Sequence, residues 1–188
     1  MTPDAGTTPD SAPPTAAPAT TGTGTYETNM TDFSMKVADV MVRYETPRLK
    51  SDGRYESELN LYLTDWVGRC GDYGTAVVRK NSKYTKLEVN RYATTAAAAE
   101  LVPGTYVIDD VDAELTRRSF DGTCAVTDAT LPFTFASAAV SKIVITSVTS
   151  SHVTGSYEVR APDGRFLKGT FDANLCAATS PMTATTCK

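Results

Sequence analysis

Along most of the chain, apolar and polar positions alternate with a period of two. In "SELNLYLTDW", Leu59, Leu61 and Leu63 fall on one face and Glu58, Asn60, Tyr62 and Thr64 on the other. That is the pattern of an antiparallel strand with one face in a core. "FSMKVADVMVRY" alternates first through Phe33, Met35 and Val37 and then through Val40, Val42 and Tyr44. The change of parity near Ala38 and Asp39 predicts a β-bulge there. Further strands are predicted near 75–80, 84–91, 104–109, 113–120, 132–136, 141–149, 153–160 and 165–172. "APDG" at 161–164 has the chemistry of a tight turn, with Pro to set φ and Gly for a left-handed position, so the last two of these strands should form a hairpin. Its buried side would carry Val153, Gly155, Tyr157 and Val159 opposite Leu167, Gly169 and Phe171, with Phe166 on the other side. Only "TTAAAAEL" (94–101) is helix-like, and Pro103 with Gly104 should stop it after about two turns. The expected fold is all-β: an antiparallel two-sheet β-sandwich of about eight to ten strands, with a closed antiparallel β-barrel as the alternative.

The first 25 residues break this pattern. "TPDAGTTPDSAPPTAAPATTGTGT" contains no aliphatic residue larger than Ala, so it has nothing to bury against the entropy of ordering a backbone. Residues 1–25 are therefore expected to be a disordered, semi-stiff tether, dispensable for folding, with a single β domain over 26–188. No apolar leader precedes the tether, and the expectation is a mature form with Met1 standing where a native leader was. No run of 18 apolar residues occurs in the sequence.

Cysteine usage bears on compartment. Cys70, Cys124, Cys176 and Cys187 stand apart, without the close pairs of a zinc site, and the chain has one His. Two disulfides are expected. Of the three possible connectivities, Cys70 with Cys176 and Cys124 with Cys187 is favoured, because both late cysteines need distant partners. "TPDAGTTPDSAPPT" resembles the segment that follows the lipidated cysteine in Gram-negative bacterial lipoproteins. "GSYEVRAPDGRFLKGTFDANLC" (155–176) resembles the closing hairpin of uncharacterised secreted β-sandwich proteins found behind such tethers. The resemblance implies an extracytoplasmic protein, secreted or anchored to the outer membrane by a lipid upstream of the tether, and brings no activity with it.

Candidate chemistry is sparse. His152 lies beside Ser150 and Ser151 in "TSSHVTG", but a Ser adjacent in sequence to its base rarely reaches usable geometry, so a strand-end turn is expected. Residues 109–128 hold six acids against two bases, net −4. Asp109, Asp110 and Asp112 there are candidate Ca²⁺ ligands, although "DDVDAE" lacks the spacing of an EF-hand loop, and the same acids are the alternative basis for a secreted hydrolase. Opposite in sign is "RKNSKYTKLEVNRY" (79–92), five cations against Glu88. It reads as a hairpin around Asn81 and Ser82, with Leu87 and Val89 turned to the core. Arg79, Lys80, Lys83, Tyr84 and Lys86 are the candidate ligand-binding residues, cations for phosphate or carboxylate and tyrosine for sugar rings. Trp66, the single tryptophan, is expected at the core edge. With a formal net charge of −4, nucleic acid is not the expected partner. The expected function is a non-enzymatic binding or structural module, without a cofactor, whose partner is an anionic surface polysaccharide or another surface protein.

Overall fold

A computed structural model describes residues 21–70, 77–108, 113–127, 134–135, 141–176 and 186–188. The protein is mostly β. Its twelve described strands are β1 (Thr23–Gly24), β2 (Glu27–Thr28), β3 (Asp39–Leu49), β4 (Tyr55–Thr64), β5 (Val77–Val78), β6 (Lys83–Ala93), β7 (Gly104–Val107), β8 (Ala113–Ser119), β9 (Lys142–Val148), β10 (His152–Arg160), β11 (Phe166–Cys176) and β12 (Thr186–Cys187). A short helix, α1 (Ala96–Ala99), is capped by the Thr95 hydroxyl, which accepts from the Ala98 N–H.

Ten strands form one sheet, in the order β7-β9-β10-β11-β3-β4-β6-β8, with β1 and β2 also on β11. The sheet curls into a half-barrel. Period-two alternation then separates an inner, apolar side from an outer one. Leu59, Leu61 and Leu63 of β4, Leu87 and Val89 of β6, and Val153, Tyr157 and Val159 of β10 all join one buried cluster inside the curl. Full burial of each such aliphatic side chain contributes about 1.5–3 kcal/mol.

The expected two-sheet antiparallel sandwich is corrected here. Asn174, Leu175 and Cys176 of β11 pair parallel with Met41, Val42 and Arg43 of β3, which joins the early and late hairpins into one mixed sheet. A second parallel pair, β12 with β5, makes a separate two-stranded ribbon. Val77–Val78 thus pairs with the chain's last strand and not with β6, so the hairpin expected around Asn81 and Ser82 is a turn without a β5–β6 ladder. Asn81 occupies it in a left-handed conformation, φ +52°.

Three local expectations also shift. The bulge falls between Glu45 and Arg48 and not at Ala38–Asp39. Residues 31–33 form a 3-10 turn, from which Phe33 still reaches the core and meets the Arg117 guanidinium 5.2 Å from its ring centroid. Most of the strand expected at 132–136 lies outside the described residues. The turn at 161–164 forms as expected: Gly164 takes φ +85°, and β10 and β11 pair in register from His152↔Asn174 to Arg160↔Phe166.

Residues ahead of the expected domain boundary at residue 26 also pair with the sheet. Thr23 and Gly24 pair with Asp172 and Phe171 of β11. Asp39, 2% exposed, uses its carboxylate to tie this segment down: Oδ1 accepts from the Gly22 N–H (2.8 Å), and Oδ2 from those of Gly68 (2.9 Å) and Arg69 (3.0 Å). A Cβ on residue 22 would stand 1.9 Å from the Val40 carbonyl oxygen, so only glycine fits. Tyr157 adds to the attachment by donating to the Thr25 carbonyl (2.8 Å), and the Tyr26 hydroxyl meets that of Thr85 (3.1 Å). Burial raises both phenols, Tyr26 to about 12. The tether expectation for residues 1–20 lies outside the described residues.

Cys70 and Cys176 stand at disulfide distance, Cα–Cα 5.5 Å, and so do Cys124 and Cys187, 5.7 Å, the two pairs favoured from the sequence. The first covers the outer face of the sheet, where Cys176 packs with Met41 and Tyr62. In consequence β4 is buried on both faces: Asn60 is 1% and Tyr62 6% exposed, although they alternate with the core leucines. No described helix is long and apolar enough to cross a membrane.

Candidate functional site

The end of the sheet at which β6 begins collects exposed cations from three separate stretches of chain. Lys80 and Lys83 are exposed on either side of the Asn81 turn. The turn is held by the Asn81 N–H donating to the Asp121 carbonyl (3.1 Å) and by the Phe120 N–H donating to that of Ser82 (2.9 Å). Arg118 of β8 is exposed and is the cross-strand partner of Tyr84. Lys188 is exposed where the Lys80 N–H donates to its carbonyl (2.8 Å), and it follows Cys187, which is linked to Cys124. Backbone pairing and a disulfide thus fix the chain segments that carry these charges.

The five candidate ligand-binding residues differ in exposure. Lys80 and Lys83 are exposed, and Arg79 is half-buried, its carbonyl accepting from the Ser82 hydroxyl. Lys86 points to the outer face as the alternation predicts, but its ammonium pairs with Glu88 (2.6 Å) and is half-buried there. Tyr84 is packed: its ring centroid lies 5.8 Å from that of Tyr62, 6.0 Å from Phe120 and 6.4 Å from Trp66, with the Arg69 guanidinium 5.2 Å away. Arg118 and Lys188 are further exposed cations at the basic end, beside Lys80 and Lys83. Arg118 was hidden in the sequence inside a net acidic stretch, and the β6–β8 register brings it to Tyr84. Lys188 lies 105 residues beyond Lys83, and no local signal connects them.

The acids of this end have structural partners. Asp121 turns the loop by accepting from the Thr123 N–H (2.7 Å), the Thr123 hydroxyl (2.7 Å) and the Ala125 N–H (3.0 Å), and these donors hold its carboxyl below the usual range. Asp65 accepts from the Lys83 N–H (2.8 Å), and partial burial pushes its carboxyl up. Trp66 is half-buried at the core edge, near Tyr84 and with the Arg69 guanidinium 5.6 Å from its ring.

His152 lies at the start of β10 with Nδ1 3.1 Å from Asp172 Oδ1, and no serine hydroxyl contact to its ring is observed among the described residues. Asp109, Asp110 and Asp112, the Ca²⁺ or hydrolase alternative, lie outside the described residues. Among the described residues no three His, Cys, Asp or Glu side chains are grouped to hold a metal ion. No protein-family model matches the chain, and neither does any curated protein or any solved structure.

Proposed function

We propose that the protein is a non-enzymatic extracytoplasmic module, secreted or lipid-anchored upstream of its N-terminal segment, that binds an anionic surface polysaccharide through its basic end. The observation that carries this reading is the convergence of exposed Lys80, Lys83, Arg118 and Lys188 on segments held together by β6–β8 pairing, the Lys80–Lys188 backbone contact and the Cys124–Cys187 link. The whole chain is net −4, so a polyanion is repelled at long range, and only a local concentration of cations reverses the sign. Two cysteine pairs at disulfide distance fit an oxidising compartment.

The test is retention on an anionic polysaccharide column. Wild type should be held at low salt and released near physiological salt, because exposed charges act within a Debye length of about 8–10 Å. A Lys80→Glu, Lys83→Glu, Arg118→Glu variant with unchanged melting should pass through. Equal retention of the two proteins, or none for wild type at low salt, would refute the reading.

A further inference from the structure

The basic end has an aromatic component that a purely electrostatic site does not need. Trp66 sits between Asp65, which is bonded to Lys83 in both directions (Asp65 N–H to the Lys83 carbonyl, 3.1 Å; Lys83 N–H to the Asp65 carboxylate, 2.8 Å), and Val67, which is 57% exposed. Its backbone is pinned as well, its carbonyl accepting from the Thr64 hydroxyl at 2.7 Å. The ring lies edge-on to Tyr84, interplanar angle 71°, and Tyr84 is the cross-strand neighbour of Arg118. Arg69 supports the group from the protein side: it is 7% exposed, with its guanidinium 5.1 Å from the Tyr62 ring, 5.6 Å from Trp66 and 5.2 Å from Tyr84. A large aromatic ring is thus held half-buried at the basic end, next in sequence to the residue that bonds exposed Lys83 and edge-on to the cross-strand neighbour of exposed Arg118.

That combination discriminates among anions. A polyphosphate offers charge and no apolar surface, so it has no use for an aromatic platform. A sugar acid offers a carboxylate together with the C–H face of a pyranose ring, which packs on an aromatic ring while the carboxylate meets an ammonium or guanidinium. A pre-ordered ring also costs little side-chain entropy on binding. Resting on the anionic-polymer reading above, we infer that the ligand is a uronic-acid polysaccharide and that Trp66 is its stacking residue, with Lys83 and Arg118 meeting its carboxylates.

Trp66 is the only tryptophan, so intrinsic fluorescence reports on this position alone. The full chain is titrated at low salt with oligogalacturonate, polyphosphate and neutral dextran, and calorimetry follows binding independently of the ring. Oligogalacturonate should shift the emission saturably, and polyphosphate should bind more weakly and leave it unmoved. Trp66→Ala should weaken oligogalacturonate binding about three- to tenfold, the range of an aromatic contact, with polyphosphate binding unchanged. Trp66→Phe, which keeps a ring against Tyr84, should recover most of the loss and guards against a merely loosened fold. Equal binding of both anions with no change in emission, or a Trp66→Ala variant that melts normally and binds oligogalacturonate as wild type does, overturns the stacking role and leaves the anionic-polymer reading in place. Absence of binding to either anion overturns both.

Discussion

Asp39→Asn isolates the device that fastens the N-terminal segment to the sheet. The Asp39 side chain is almost fully buried and accepts three backbone N–H groups, from Gly22, Gly68 and Arg69. Asparagine has the same shape but one acceptor oxygen. If the oxygen stays with Gly68 and Arg69, the new NH2 faces the Gly22 N–H; if it flips, two donors are opposed. A hydrogen bond to a charged acceptor contributes about 1.5–3 kcal/mol, and an orphaned buried donor costs about 1–3 kcal/mol. Losing one such bond and opposing one donor should therefore cost about 2.5–6 kcal/mol. For a domain of this size that corresponds to a fall in Tm of roughly 5–24 °C. The measurement is urea and thermal unfolding of the oxidised protein, for wild type, Asp39→Asn, a deletion of residues 1–25, and the two combined. The deletion removes Gly22 and the β1 pairing with β11, so the combined loss should fall short of the sum of the separate losses. An Asn variant within about 0.5 kcal/mol of wild type, or strict additivity with the deletion, would refute the latch.

Glu56 offers a pH test: its buried carboxylate accepts from Lys50 (2.9 Å), Tyr92 (2.9 Å) and Arg48 (3.0 Å), bonds that hold its pKa below the usual carboxylate range. A depressed folded pKa contributes stability that is fully present above the unfolded value of about 4.3 and is lost as pH falls through the folded one. Glu56→Gln should therefore cost about 1–2 kcal/mol at neutral pH, discounted for its half-exposed cationic partners, and the gap between the two urea midpoints should close below about pH 4; a gap independent of pH would contradict this. Mild reduction should open Cys124–Cys187 first, because Cys187 is exposed whereas Cys176 is buried, and alkylation with peptide mapping should find label on Cys124 and Cys187 before Cys70 and Cys176. Each link closes a long stretch of chain, 106 and 63 residues apart in sequence, so reducing either should cost about 2–4 kcal/mol of stability.

The long strands were legible in the sequence because a half-buried strand writes its period of two locally, in residues such as Leu59, Leu61 and Leu63 or Val153, Tyr157 and Val159. The "APDG" turn was legible for the same reason: its φ requirements fall on Pro162 and Gly164 themselves. The two cysteine pairs followed from isolation in the chain and from chain position. Three things needed the tertiary structure. The parallel meetings of β11 with β3 and of β12 with β5 join segments more than a hundred residues apart, and parallel pairing leaves no turn signal between its partners. The docking of Thr23–Gly24 is carried by backbone bonds and by the absence of a side chain at Gly22, so a stretch without apolar residues reads as a tether until Asp39 and Val40 are seen beside it. At the basic end, local charge density pointed to Lys80 and Lys83 but could not tell that Glu88 occupies Lys86 or that Tyr84 is enclosed by Tyr62, Trp66 and Phe120. The exposure of a strand residue depends on its cross-strand and same-face neighbours, and those are chosen by register: Tyr84 opposite Arg118 and Lys86 opposite Thr116.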